Sequence, residues 1–150
     1  TWYGLGPHGC YPAREASGRM GIYSRSVGEM YEPFVMPQEH GNRMDVRWAS
    51  LTDEQGRGLL VMGMPNLNVS ATRIAPRDMA QAEHTHELDR NADVILHLDH
   101  DISGVDGRGY RVETKTYSWS VALRPFVRQE DNAAELSRRR LPAPSTTPGR

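Results

Sequence analysis

Hydrophobic alternation with a period of two, and very little with a helical period, is the strongest constraint on this chain. Met44, Val46 and Trp48 alternate with Asp45, Arg47 and Ala49, the pattern of a strand with one buried face. Residues 54–56 read as a turn, and 58–63 as a short apolar strand that Pro65 breaks. Beyond it Leu67, Val69 and Ala71 alternate against Asn68, Ser70 and Thr72, and Val94, Leu96 and Leu98 share one face of a further strand. In the clearest strand Tyr117, Trp119, Val121 and Leu123 face a core, and Pro125 closes it. Trp2-Tyr3 and residues 21–26 add two less regular pieces. Only 75–88 is helical: Pro76 suits the first helical position, Asp78 the first turn, and the helix ends near Glu83 or His84. Six or seven strands with one short helix specify an all-β antiparallel sandwich. A parallel α/β sheet would need helices over both faces.

A chain of 150 residues can bury one core. With 14 glycines and 10 prolines against 37% hydrophobic residues, it is turn-rich without being disordered. Eighteen basic and 19 acidic side chains leave a formal charge of −1. No arginine-rich face coincides with an aromatic platform, so no nucleic-acid partner is expected. No run is long enough for a membrane span, so no membrane partner is expected either. The single Cys10 excludes an internal disulfide framework. The opening TWYGLGP is already strand-like and reads as a cut through a longer protein. Residues 1–126 are the expected packed domain and 127–150 a weakly ordered tail. Within that tail AAELSRRR allows a turn or two of helix, and LPAPSTTPGR has no means of forming a core. The compartment stays open, with the cytoplasm slightly favoured.

Chemistry concentrates in YEPFVMPQEHGNRMDVRW, residues 31–48. Pro33, Pro37, Gly41 and Asn42 should fix a sharp corner, tied by Gln38, Glu39 and Arg43 through a buried ion pair or amide bond. Glycoside hydrolysis needs two carboxylates roughly 5 to 9 Å apart. Glu39 is the best-placed one, but the reading favours its pairing with Arg43 or with backbone N–H groups. Asp99 and Asp101 read as solvated turn residues, and no catalytic residue is assigned. His84 and His86 lack a third ligand at a metal-site spacing, so no metal is assigned. Cys10 lacks a base and reads as an inert thiol. GLGPHG lacks the helix and the Lys or Ser of a phosphate loop. Trp48, Tyr117 and Trp119 belong on apolar strand faces. Tyr11 and Tyr31, in loops, are free to meet a ligand or another domain, and with His8 they are the candidates for a substrate pocket or a domain contact.

Four segments together resemble the C-terminal β-sandwich, the small-chain or fifth domain, of glycoside hydrolase family 2 β-galactosidases. They are WYGLGPHGCYPAREASGRMG, MYEPFVMPQEHGNRMDVRW with its Pro-Gln-Glu-x-Gly-Asn-Arg run, EHTHELD, and the closing YSWSVALRPF. The resemblance runs from Trp2 to about Phe126 and covers the second half of that domain. It implies an incomplete, galactose mutarotase-like supersandwich that closes one side of a sugar pocket. The catalytic glutamates of the parent enzyme, which retain anomeric configuration, then lie in a (β/α)8 barrel outside this chain. It also implies magnesium and sodium in the parent, none of it held here. The implied partners are the rest of the β-galactosidase chain, β-galactosides through that parent, and a homo-oligomer. Leu5, Gly9, Cys10 and Ala13 replace polar groups of the family's opening run, and the Gly-rich loop at 104–110 is short and lacks the sugar-stacking Trp. The reading is therefore a non-catalytic, pocket-completing part of a β-galactosidase, not active alone. The alternatives are a stand-alone carbohydrate-binding sandwich or a truncated relic.

Overall fold

The computed structural model describes residues 1–104 and 110–139. Six strands form one antiparallel sheet: β1 (Trp2–Gly6), β2 (Arg19–Tyr23), β3 (Arg43–Thr52), β4 (Arg57–Thr72), β5 (Ile95–Asp99) and β6 (Ser120–Val127). The order is β2-β1-β3-β4-β5, with β6 also paired to β4. The all-β antiparallel class holds, and the described residues supply one layer of it. Helix α1 spans Pro76–Gln81 and a second helix, α2, spans Ala133–Arg138. Among the described residues no helix is long and apolar enough to cross a membrane.

The β3–β4 hairpin is set by its turn. Gly56 takes φ +81, a conformation that favours glycine, and the Asp53 carboxylate accepts from Arg57 N at 2.9 Å. From there β4 runs sixteen residues, passing through Pro65 instead of stopping at it. The reason is a bulge. Trp48 pairs with Met62 and Val46 with Leu67, so residues 63–66 of β4 lie opposite Arg47 alone. At a bulge the ladder needs no N–H from proline. On its other edge β4 pairs first with β6, over Arg57–Met64, and then with β5, over Asn68–Thr72.

The irregular register also undoes the simple alternation expected for β3. Val46 and Trp48, two residues apart, enter different cores. Val46 joins Trp2, Ala49, Val61, Leu67 and Val69. Trp48 joins Leu60, Met62, Ala122, Phe126 and Leu136. A second shift, between Arg43 and Val46, contains Asp45 at φ +52, a left-handed value that Asp tolerates better than branched residues do.

Three further expectations are corrected. The last strand begins at Ser120, not Tyr117, and runs through Pro125, which pairs with Leu59; an edge strand can carry proline. Its buried side chains are Ala122 and Phe126, whereas Trp119 and Leu123 are 39% and 57% exposed. Leu123 pairs with Val61 and is left in solvent, while Trp119, just before the strand, meets the His100 ring edge-on at 6.2 Å. Nor does packing end at Phe126. Asn132 caps α2 by accepting from Ala134 N and Glu135 N, and Leu136, 5% exposed, packs into the Trp48 core. The tail from residue 140 lies outside the described residues.

Leu136→Ala should cost about 2 to 5 kcal/mol of stability, the range for truncating a buried leucine. Urea unfolding would measure it, and a loss within about 0.5 kcal/mol, the scale of a surface change, would mean that α2 is not docked.

Candidate functional site

The corner before β3 is built around buried polar groups. His40, Asn42 and Arg43 are 5%, 1% and 3% exposed. Gly41 takes φ +77, and a Cβ there would stand 2.8 Å from the Met30 carbonyl, so both conformation and space require glycine. His40 Nδ1 contacts the Gln38 carbonyl at 3.1 Å; a carbonyl only accepts, so that nitrogen carries the proton. The His40 ring meets the Tyr31 ring edge-on at 4.9 Å, and the Arg90 guanidinium lies over the Tyr31 ring at 5.5 Å from its centroid.

Asn42 is the centre of the arrangement. Its Nδ2 donates to the Cys10 carbonyl at 2.8 Å and to Asn68 Oδ1 at 3.2 Å. Its own carbonyl accepts from Cys10 N at 2.8 Å. Asn68 in turn donates to the His100 carbonyl at 3.1 Å. One amide relay thus joins the opening loop, the corner, β4 and the residue after β5. Glu32 reinforces the first of these joints, accepting from Gly9 N at 2.9 Å and lying 3.6 Å from Arg14.

Arg43 does not pair with Glu39. Its Nη1 donates to the Gly41 and Asn42 carbonyls at 2.9 and 3.1 Å, and its guanidinium stacks over Trp2 at 4.9 Å. Residue 43 opens β3 and points its side chain at the Trp2 core, whereas Glu39 lies on the wall of a cleft. Burial works against the Arg43 charge, and Glu32 is the acid that most offsets it. Gln38 is exposed and contributes its backbone carbonyl.

That cleft, of about 750 Å³, runs between the corner, β4, α1 and the chain after β5. Glu39, His97, Asp99 and Asp101 line it together with Ser70 and Thr72. The structure thus brings Asp99 beside Glu39, although the sequence offered it only as a turn residue. Crowding in the cleft wall pushes the Glu39 carboxyl above its ordinary value, Asp99 raises it further, and His97 works the other way. Asp101 sits 3.2 Å from His100 Nδ1. Carboxylates, hydroxyls and an imidazole on one open wall can accept from and donate to a polyhydroxylated ligand. The expected Gly-rich loop falls partly on 105–109, outside the described residues.

The other candidates fare differently. Tyr11 is fully buried, with its hydroxyl 3.4 Å from Asn42 N, so it packs the joint and cannot meet a ligand; burial raises its pKa. Tyr31 is half-buried against His40. His8 Nε2 lies 2.8 Å from Ser17 Oγ, away from the cleft. Cys10 is buried, its thiol 3.5 Å from the His8 carbonyl. His84 and His86 are exposed, with ring centroids 5.4 Å apart, and His84 Nδ1 meets Glu87 at 3.1 Å. Among the described residues no three His, Cys, Asp or Glu side chains converge as a metal site. Sequence reasoning missed Asn68 and Glu32. An asparagine in the middle of a strand was the available signal, because Asn is depleted in strands unless its amide is used.

A family model described as β-galactosidase small chain matches residues 1–121. The β-galactosidase of Priestia megaterium is 36% identical over 107 residues, which is 71% of this chain and 10% of that protein. The β-galactosidase of Pseudoalteromonas haloplanktis is 33% identical over 132 residues, 82% of this chain and 12% of its own length. That of Lactobacillus delbrueckii subsp. bulgaricus is 35% identical over 113 residues, with 74% and 11% covered. The chain spans about a tenth of the length of these relatives.

Two predictions test the site. Asn42→Ala strands the Cys10 carbonyl and the Asn68 amide, and should cost about 1 to 3 kcal/mol for each buried group left unpaired; chemical unfolding reads it. For Glu39 the folded pKa lies above the unfolded one, so the native state holds more protons in that window and stability falls as pH rises upward from 4.5. Relative to Glu39→Gln, the unaltered chain should therefore lose melting temperature between pH 4.5 and the raised value. A difference that does not change with pH would show that the carboxyl is not crowded.

Proposed function

The chain belongs to the β-galactosidase small-chain family, and we propose that it is a non-catalytic part of a glycoside hydrolase family 2 β-galactosidase. In this reading it forms one wall of the pocket in which the enzyme hydrolyses terminal non-reducing β-D-galactose residues of β-galactosides. The single observation that carries the reading is the cleft beside the Pro-Gln-Glu-x-Gly-Asn-Arg corner, walled by Glu39, His97 and Asp99. The correspondence to about a tenth of each relative supports a chain that works as part of something longer.

The division of labour is chemical. Retaining hydrolysis needs a nucleophile and an acid/base held across the scissile bond. Those groups are assigned to the remainder of the enzyme, along with its magnesium and sodium. The residues here orient the sugar. The Asp99 side chain can accept from hydroxyl groups, and Glu39, its pKa raised by burial, can accept or, when protonated, donate. Asn42 and Asn68 act through these groups by holding the corner against β4. A stand-alone carbohydrate-binding sandwich is disfavoured by Tyr11, whose burial removes half of the aromatic platform that reading needs.

The purified chain should be silent on a chromogenic β-galactoside and should generate activity when mixed with the rest of a matching β-galactosidase lacking this segment. In the mixture Asp99→Asn should lower kcat/KM about tenfold or more, the worth of one charged hydrogen bond. Turnover by the chain alone would instead make Glu39 and Asp99 a catalytic pair.

A further inference from the structure

Arg43 poses an unsolved electrostatic problem. It is only 3% exposed, and among the described residues its Nε has no partner and it forms no ion pair. Its hydrogen bonds go to two backbone carbonyls and carry no countercharge. A buried guanidinium without a carboxylate is costly, and Arg is the side chain used where two fixed N–H groups grip one.

Beside it lies a hollow of about 50 Å³ on the Val61 side of the sheet. Trp2, Met30, Val69 and Leu96 line it, Arg25 reaches it, and among the described residues no acidic side chain does. Glu32, the acid whose field most favours Arg43, is already engaged by Gly9 N and Arg14. The same side of the sheet leaves Leu123, the partner of Val61, 57% exposed. An apolar surface with a positively charged, acid-free hollow complements a segment that is apolar around one carboxylate.

We propose that this hollow is the socket for an Asp or Glu side chain carried by the covering layer of the longer β-galactosidase chain, which pairs with Arg43 when that layer docks. The inference rests on the reading of this chain as part of such an enzyme. The aliphatic stem of the incoming acid lies along Val69 and Leu96, and its oxygens take up the unused N–H groups of Arg43. Arg25 at the mouth adds attraction from solvent. The pairing fixes the register of one layer on the other, since a shifted layer would leave both charges buried and alone.

The test measures binding of the full chain to the remainder of a matching β-galactosidase, with Arg43→Met and Arg43→Lys as variants. Arg43→Met removes an unpaired buried charge but also the donors to the Gly41 and Asn42 carbonyls, so binding is compared at a temperature where circular dichroism shows both chains folded. The Kd of Arg43→Met for the remainder should weaken at least about tenfold, with Arg43→Lys in between. A second arm compares sodium acetate with sodium chloride at matched ionic strength. Acetate should raise the melting temperature of the unaltered chain and leave Arg43→Met unmoved. Undiminished binding by Arg43→Met would overturn the socket while leaving the parent-enzyme reading intact. Acetate protection without any binding to the remainder would keep the anion site and overturn the covering layer as its occupant. If neither appears, both fall.

Discussion

Everything that gives this sheet a functional edge depends on one buried amide. Asn42 speaks to the opening loop through Cys10 and to β4 through Asn68, and Asn68 passes the connection on to His100. A hydrophobic contact could have supplied as much free energy there without specifying direction. Amide hydrogen bonds in a low-dielectric interior do specify it, because a slip of one residue leaves donors and acceptors facing nothing. Glu39 at the corner and Asp99 at the end of β5 come from distant parts of the sequence. They share a cleft because this relay holds their elements at a fixed separation.

The sheet treats its two sides differently. One is closed by the chain itself, through α2 and Leu136 against Trp48 and Phe126. The other carries a core around Trp2 and Val61 yet leaves Leu123 in solvent. Where β4 passes the relay, both its sides are buried, Leu67, Val69 and Ala71 on one and Asn68, Ser70 and Thr72 on the other. Only the polar side faces the cleft. The bulge opposite Arg47 marks the change between these environments, and it lets one long strand serve a self-covered half and a cleft-facing half.

Much of this was legible in the residues. Period-two runs gave the antiparallel class, residues 54–56 gave the hairpin turn, and Pro76 with Asp78 gave the start of α1. What failed did so for identifiable reasons. Pro65 looked like a strand end because proline cannot feed a ladder, but a bulge makes no such demand. Leu123 looked like core because alternation shows that a face is apolar, not that the rest of the described residues cover it. Arg43 and Glu39 looked like partners because they are close in sequence; the extended chain after Gly41 sends them to different places. Tyr11 looked free because it sits in a loop, and nothing local reveals that the loop folds inward onto Asn42. Asn68 was passed over as the polar half of an alternating strand, since solvent-facing and amide-bonded positions look the same in a pattern of polar and apolar letters.

The pairing of β5 and β6 end to end along one edge of β4 has an evolutionary consequence. Each takes its register from β4 independently, and neither depends on the other for its place. The chain from residue 100 to 119 can therefore gain or lose residues without sliding either strand, at the modest entropic cost of a longer or shorter loop. A stretch adjoining the cleft is free to diversify while the frame around it stays constant. Lineages sharing this sheet can thus reshape the wall of the cleft by insertion and deletion, with no need to redesign a core.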